Sequence, residues 1–248
     1  MGKQQEMVAL RDNSLGFHIK SVIEGKRRFE NVFQSVSKMI LEDPAKIQKI
    51  TVNGRQTYDF LIFRQKGKHI VGMFDEINSF VSYVKDAAEG GSSAEMAFVL
   101  IGEPGNGKTF FVDFLSSLYR KFVSQAPNKR YTFQIKDLDK IGGYGKINRI
   151  ESQTFEDPMI LAMNLYENRE ENIEHLSKLG AKDAQIKQFY KMYRPLGACT
   201  DYILHQIREY CNGDVQKMIE FIDIVPIPIN ETRGTLTGKY AAKDKITS

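Results

Sequence analysis

A glycine-rich stretch in the middle of this 248-residue chain has the residue types needed to bind a row of phosphates. Residues 102–109 read Gly-Glu-Pro-Gly-Asn-Gly-Lys-Thr and match the pattern G-x-x-x-x-G-K-S/T at every fixed position. Triphosphate oxygens need many hydrogen-bond donors at once. Backbone N–H groups can supply these donors where glycine lets the chain approach the anion closely. The pattern therefore predicts a binding loop for a nucleoside triphosphate, taken to be ATP with Mg²⁺.

Individual residues of the loop have expected roles. Lys108 is expected to bridge the β- and γ-phosphates and to act in catalysis by offsetting the charge that builds up during transfer. Thr109 is expected to place its hydroxyl on the metal ion, Mg²⁺. A helix starting near Gly107 would direct its partial positive charge at the same anion. The expected nucleotide-binding residues of the loop are Gly102, Glu103, Pro104, Gly105, Asn106, Gly107, Lys108, Thr109 and Phe110.

The elements expected to position this loop lie directly before and after it. Residues 96–101, Met-Ala-Phe-Val-Leu-Ile, form a continuous apolar run, which is typical of a strand buried on both faces of a parallel sheet. After the loop, apolar side chains recur on one helical face, and residues 131–135 are typical of a second strand. This order predicts a right-handed βαβ unit and an α/β fold. The helical face consists of Phe111, Phe114, Leu115, Leu118 and Phe122.

Apolar spacing also predicts helices outside this region. One helix is expected around residues 29–40, and another begins near Phe74 and ends at Gly90. Most of the chain after the second strand is expected to be helical, with a last extended piece at residues 221–229.

Hydrolysis at such a loop also needs a carboxylate that follows a hydrophobic strand, holds magnesium and orients water. The stretch from Ile70 to Glu76 ends in Asp-Glu, but its apolar positions continue at helical spacing, so it predicts the start of a helix. Asp223 follows a second apolar run, which Glu220 interrupts. Because neither stretch matches well, we expect the chain to bind ATP but to hydrolyse it slowly or not at all.

The two cysteines bear on a possible zinc site and on the redox compartment of the protein. Cys199, His205 and Cys211 suggest zinc, but their spacing matches no common zinc motif and three ligands leave a structural site incomplete. Two cysteines are too few for a disulfide framework, which favours a reducing cytoplasm.

The start of the chain lacks the apolar segment of a signal peptide, and the longest apolar run, residues 96–101, is too short to span a bilayer. We expect no membrane partner.

The charge pattern does not favour nucleic acid as a partner. The net charge of +4 is small, and the most basic stretch, residues 120–149, is diluted by Asp137 and Asp139. An acidic stretch follows at residues 167–174. A surface of mixed sign is the favoured interpretation.

Taken together, Ile70-Val-Gly-Met, the helix after it, the apolar run and the glycine-rich loop resemble the opening of an AAA-type ATPase module. The longer stretch, with Leu196-Gly-Ala-Cys-Thr-Asp-Tyr-Ile near its end, is similar to the bacterial PrkA family of serine protein kinases. This resemblance implies a mainly helical N-terminal extension over residues 1–67. It also implies an AAA-type P-loop NTPase core with a parallel sheet over residues 68–248, truncated at its C-terminal end.

The resemblance further implies that Ile70 and Val71 lie near the adenine. It implies a protein substrate or partner domain, and a ring-shaped homo-oligomer. Members of the family are longer, and their acidic magnesium motif and arginine sensors are expected beyond Ser248. The chain has no His-Arg-Asp or Asp-Phe-Gly kinase motif, so whether it is an enzyme by itself stays open. A non-hydrolysing regulatory nucleotide-binding domain is the alternative, and a nucleic-acid-dependent ATPase is a more distant one.

A second glycine-rich stretch, residues 142–146, follows the second predicted strand. It places Tyr144 between two glycines, where ring-forming AAA unfoldases present an aromatic side chain to the central pore. An exposed ring there would grip an extended polypeptide. The other interpretation is an ordinary flexible connector.

Overall fold

The computed structural model describes residues 12–65, 68–70, 73–103, 105–152 and 154–227. Contacts group the described residues into two compact units. The first contains residues 12–29 and 126–227, and the second contains residues 30–125 with the gaps just given. The predicted boundary after residue 67 falls inside the range of the second unit.

Helices and short strands make up the described chain. The α-helices are α1 (Leu15–Ile23), α2 (Val32–Leu41), α3 (Phe74–Glu89), α4 (Lys108–Val123), α5 (Pro158–Asn164), α6 (Arg169–Lys178), α7 (Asp183–Lys191), α8 (Ala198–Tyr210) and α9 (Val215–Glu220). The strands are β1 (Ile47–Val52), β2 (Arg55–Phe60), β3 (Arg64–Gln65), β4 (Lys68–His69), β5 (Tyr131–Ile135), β6 (Ile150–Glu151) and β7 (Ile222–Pro226). Within the described ranges, no helix combines the length and the apolar character needed to cross a bilayer.

The predicted parallel sheet is wrong, because every strand pairing in the described residues is antiparallel. β5, the predicted second strand of the βαβ unit, lies in the first unit between β6 and β7. In the second unit, β1 pairs with β2 and β3 pairs with β4. The described residues therefore do not form the α/β P-loop NTPase core of AAA type that the sequence predicted.

Residues 96–101 explain much of this error. They were predicted to be a strand buried on both faces, but residues 97–100 belong to no helix or strand. Phe98 and Leu100 pack against the core of the second unit, whereas Val99 and Ile101 are exposed. Composition alone cannot distinguish an apolar run buried on one side from one buried on both sides.

The predicted helices of the second unit are confirmed. α2 occupies most of the stretch predicted at residues 29–40, and α3 starts at Phe74. α3 ends at Gly90, whose φ of +86° lies in the left-handed region that glycine adopts without strain. α4 buries Phe111 and Phe114 on its apolar face. Phe111 stacks on Phe63 at 5.9 Å between ring centroids, so α4 is fixed firmly to its unit.

The first unit is built around β5 and α5. Phe133 and Ile135 of β5 are buried in its core, and α5 is buried along almost its whole length. α1 packs against α5 and β7, while α8 and α9 lie next to each other. The predictions of a mostly helical second half and of a late extended piece are confirmed by α5 to α9 and by β7.

Candidate functional site

The glycine-rich loop belongs to the second unit and has a backbone that only glycine adopts readily. Gly105 has a φ of +90° and Gly107 a φ of +74°. A Cβ atom added at Gly105 would meet nothing within 4 Å, so this part of the loop faces open space. A side chain at either position would strain the backbone, which explains the residue types in the sequence.

The loop leads directly into α4, whose N-terminus lacks a side-chain cap. Gly107 is the N-cap residue, and no acidic residue lies in the first turn. The N–H groups of Lys108, Thr109 and Phe110 meet no acceptor among the described residues. These uncapped donors and the positive end of a 16-residue helix dipole can both stabilise an anion at this position.

Lys108 folds back over the start of the loop. Its ammonium donates to the carbonyl oxygen of Gly102 at 2.6 Å and to that of Glu103 at 2.7 Å. Asn106 closes a turn through its N–H, which donates to the Glu103 carbonyl at 3.3 Å. The loop therefore holds a cation beside free N–H donors, a combination suited to phosphate.

Thr109 and Phe110 are exposed in the first turn of α4. Phe110 is 43% exposed, and its ring stacks on that of Phe114 at 5.8 Å. No group of three His, Cys, Asp or Glu side chains in the described ranges could hold a metal ion. Magnesium prefers oxygen ligands and is commonly held by phosphates, waters and one or two protein groups. The accessible Thr109 hydroxyl fits that mode of binding.

A second helix begins beside the loop. Met73 is the N-cap residue of α3, and its Sδ lies 3.7 Å from where a Cβ atom would stand at Gly107. Ile70, predicted to contact adenine, is buried in the core of the same unit. Val71, the other predicted adenine contact, and Pro104 lie outside the described residues. The other predicted residues, Gly102, Glu103 and Gly105 to Phe110, lie in the loop and in the first turn of α4.

Asp223, the weaker candidate for the missing acid, lies on β7 in the first unit, whereas the loop belongs to the second. Its carboxylate accepts from the Lys136 ammonium at 2.6 Å and from the Asn13 amide at 3.3 Å. Arg149 lies 3.8 Å from its other oxygen. The carboxylate is thus already compensated by two cations within its own unit.

The zinc interpretation is excluded by the geometry of α8. Cys199 lies near the start of this helix and is exposed, whereas Cys211 follows its end and is buried. A helix rises 1.5 Å per residue, which places the two cysteines about 18 Å apart. They cannot share one metal ion.

The prediction of an exposed aromatic side chain at Tyr144 is wrong. Its ring is partly buried against the core of the first unit, and its hydroxyl donates to Oε1 of Gln206. Burial raises the pKa of this phenol. Gly143 and Gly145 both have positive φ, so the glycines serve a defined turn around a packed side chain.

A buried polar cluster around Glu156 in the first unit was not found by sequence reasoning. The Oε1 atom of Glu156 accepts from the Gly197 N–H at 2.7 Å. Its Oε2 atom accepts from the hydroxyls of Thr200 at 2.5 Å and Ser152 at 3.1 Å. These partners lie up to 44 residues away in the chain, so no local sequence pattern indicates the cluster. It ties Gly197 and Thr200, at the start of α8, to the loop that precedes α5.

A second buried cluster joins α1 to β5. His18 is 1% exposed, and its Nδ1 atom accepts from the Arg27 guanidinium at 3.1 Å. The same guanidinium lies 4.1 Å from the centre of the Tyr131 ring. Burial, and then the charge of Arg27, lower the pKa of His18 to about 3. The imidazole is therefore neutral and contributes to packing.

No family model matches the chain. No curated protein matches it. No solved structure matches it. The resemblance to the PrkA family stays a prediction.

Proposed function

We propose that this chain binds ATP with Mg²⁺ through residues 102–110. The observation that supports the proposal is the uncapped start of α4 at an open glycine loop, with the Lys108 ammonium beside it. In this proposal the phosphates accept hydrogen bonds from the first-turn N–H groups, and Lys108 exchanges its two carbonyl partners for phosphate oxygens. Thr109 supplies a hydroxyl to the metal ion, which offsets phosphate charge when bound.

We further propose binding without rapid hydrolysis. Asp223 is already engaged by Lys136 and Arg149, and Thr109 is the one metal-binding side chain that this proposal assigns. A regulatory nucleotide-binding module therefore fits better than an independent ATPase. Coupling of the nucleotide state to a protein substrate, a ring-shaped assembly and a kinase role of the PrkA type follow from the resemblance and are proposals. A cytoplasmic location belongs to the same proposal, supported by two free cysteines.

The proposal is tested by measuring ATP·Mg²⁺ binding calorimetrically to the wild type and to Lys108→Ala. Removal of the ammonium should weaken binding by roughly 10- to 100-fold, because a charge-assisted contact to phosphate is lost. Lys146→Ala, which removes an exposed lysine of the first unit, is the control and should leave the affinity unchanged.

Equal affinity in Lys108→Ala and the wild type would refute the assignment of the loop. Phosphate release by the wild type separates the two functional classes. Slow or absent turnover supports the regulatory module, whereas rapid turnover would require a carboxylate that acts with the loop.

A further inference from the structure

Two tyrosines of the first unit are held with their rings next to each other. The ring centroids of Tyr190 and Tyr193 lie 6.0 Å apart, at an interplanar angle of 32°. The Tyr190 hydroxyl donates to Oδ1 of Asn172 at 2.8 Å, and the Tyr193 hydroxyl donates to Oδ1 of Asn164 at 3.1 Å. Asn172 is 1% exposed, and Asn164 also donates to the carbonyl oxygen of Arg194 at 3.1 Å. The two rings are therefore fixed in place, while Tyr193 stays 47% exposed.

Positively charged side chains surround these rings. The Arg169 guanidinium, at the start of α6, lies 4.3 Å from the centre of the Tyr190 ring. Lys187 precedes Tyr190 by three residues on α7, and Lys191 follows Lys187 by one helical turn, so these side chains share one side of the helix. This surface, the Tyr190 patch, consists of Arg169, Lys187, Tyr190, Lys191, Tyr193 and Arg194. Among the residues that the structure describes, no carboxylate forms an ion pair with any of its four cations.

The acidic stretch at residues 167–174 was expected to offset positive charge nearby, but two of its carboxylates have other partners. Glu174 pairs with Lys178 at 2.6 Å on the same helix. Glu167 lies 3.9 Å from Nε of Arg208, which belongs to α8. Neither carboxylate is therefore free to neutralise the Tyr190 patch.

The other nearby acids leave the patch with a net positive charge. Burial raises the pKa of Tyr166, and the charge of Glu171 adds to this rise, so Glu171 acts on a ring outside the patch. Glu170 acts on Tyr190 itself: burial raises the pKa of this phenol, the guanidinium beside it opposes the rise, and Glu170 adds to it. Asp183 lies in the first turn of α7. The four cations of the patch thus outweigh the carboxylates of Glu170 and Asp183.

Fixed rings among cations suit a specific kind of ligand. Unpaired bases stack on tyrosine rings and on the guanidinium plane of arginine, and lysines beside them contact the phosphates that join those bases. An acidic protein would use the cations but has no need of the rings. We propose that the Tyr190 patch binds single-stranded nucleic acid, with a base stacked on Tyr193 and the flanking phosphates held by the lysines of α7.

Binding by stacking and charge depends on salt and little on sequence. Four cations can neutralise up to four phosphates, so the logarithm of the affinity should fall with the logarithm of the salt concentration at a slope of about −3. We expect a dissociation constant on the order of 10⁻⁵ M at about 50 mM salt. The patch lies in the first unit and uses none of residues 102–110, so its test is independent of nucleotide binding.

The anisotropy of a fluorescent oligo(dT) of about 12 nucleotides, measured at about 50 to 200 mM salt, tests the cations of the patch. The wild type should bind it saturably with the slope given above. The double variant Lys187→Ala/Lys191→Ala should bind roughly 10- to 100-fold more weakly, with a slope that is shallower by about 1.4, because two phosphate contacts are lost. Lys49→Ala/Lys85→Ala is the matched control: it removes two exposed lysines of the second unit and should bind like the wild type.

Substitutions of the ring and of the nearby acid test the stacking arrangement. Tyr193→Ala should weaken binding about 10-fold without changing the salt slope, because the ring carries no charge, and Tyr193→Phe should keep the wild-type affinity. Tyr58→Ala is the control, since Tyr58 is 44% exposed in the second unit and should leave binding unchanged. Glu170→Gln should tighten binding, a result that loss of folding cannot produce, because it removes the carboxylate that acts on Tyr190.

Four results would overturn the proposal. The first is the absence of saturable binding by the wild type. The second is wild-type affinity in Tyr193→Ala, which would reduce the site to charge alone. The third is a DNA duplex of the same length that binds as tightly as the single strand, because paired bases cannot stack on the rings. The fourth is competition by poly-glutamate as strong as that by unlabelled oligo(dT), which would indicate an acidic protein as the partner.

Discussion

Two polar sites, the Glu156 cluster in the first unit and the start of α4 in the second, differ in whether their hydrogen-bonding groups have partners. In the first unit, both carboxylate oxygens of Glu156 are buried and accept hydrogen bonds from groups of the same unit. In the second unit, the N–H groups at the start of α4 have no acceptor among the described residues. Polar groups that satisfy one another stabilise a fold, whereas donors left free at an open surface can bind a ligand.

The largest expected effect is a loss of stability when the buried acceptor, and not the exposed loop, is altered. Glu156→Ala should lower the free energy of unfolding by about 3 kcal/mol, because it leaves the Gly197 N–H and two buried hydroxyls without their acceptor. Urea denaturation followed by far-UV circular dichroism measures this change. Glu103→Ala removes an exposed carboxylate from the glycine loop and should change stability by less than about 0.5 kcal/mol. Similar losses in both variants would contradict the division of roles.

The predicted start of a helix near Gly107 is confirmed by α4, and it could be predicted because the features that define it are local. Gly105, Gly107 and the first turn of α4 lie within a few residues of one another, and the helical spacing after them is also a local pattern. By contrast, Glu156 meets Thr200 only after three intervening helices, α5 to α7, and the start of α8 have been placed, and no pattern in the sequence joins the two residues.

The fold failed to follow from the sequence for a related reason. Residues 131–135 do form a strand, but its partners are β6 and β7, which come later in the chain and pair with it antiparallel. The strand-like composition of residues 131–135 does not specify these partners. The apolar run at residues 96–101 predicted a strand parallel to β5, but the described residues contain no parallel pair of strands.

A smaller effect concerns His18, whose stabilising role depends on pH. Its pKa is about 3 in the folded protein and 6.5 in the reference state, so the unfolded chain binds the proton more tightly. The stabilisation is therefore complete above pH 6.5 and is lost progressively as pH falls towards 3. At pH 5 the wild type should have lost about 2 kcal/mol of stability from this group.

Urea denaturation at pH 7.5 and pH 5 in His18→Gln tests this expectation. The variant should lose less stability between the two pH values than the wild type does, because the titrating imidazole is gone. His205→Gln is the control. His205 is exposed on α8, so its replacement should give the same change in stability between the two pH values as the wild type shows. An unchanged pH dependence in His18→Gln would refute the role of this imidazole.

The smallest expected effect on stability compares two glycines of the second unit with matched backbones. Gly105 in the candidate loop and Gly54 in the turn between β1 and β2 have φ values of +90° and +76°, and a Cβ atom at either would meet nothing within 4 Å. Replacement by alanine should therefore cost about 1 kcal/mol at each position through backbone strain alone. Only Gly105→Ala should also weaken ATP·Mg²⁺ binding in calorimetry, because only there would the new methyl group stand where the backbone must approach phosphate. If Gly105→Ala kept the wild-type affinity while showing the same loss of stability as Gly54→Ala, the glycine would serve the turn and not the ligand. That result would contradict the proposal that the loop binds ATP.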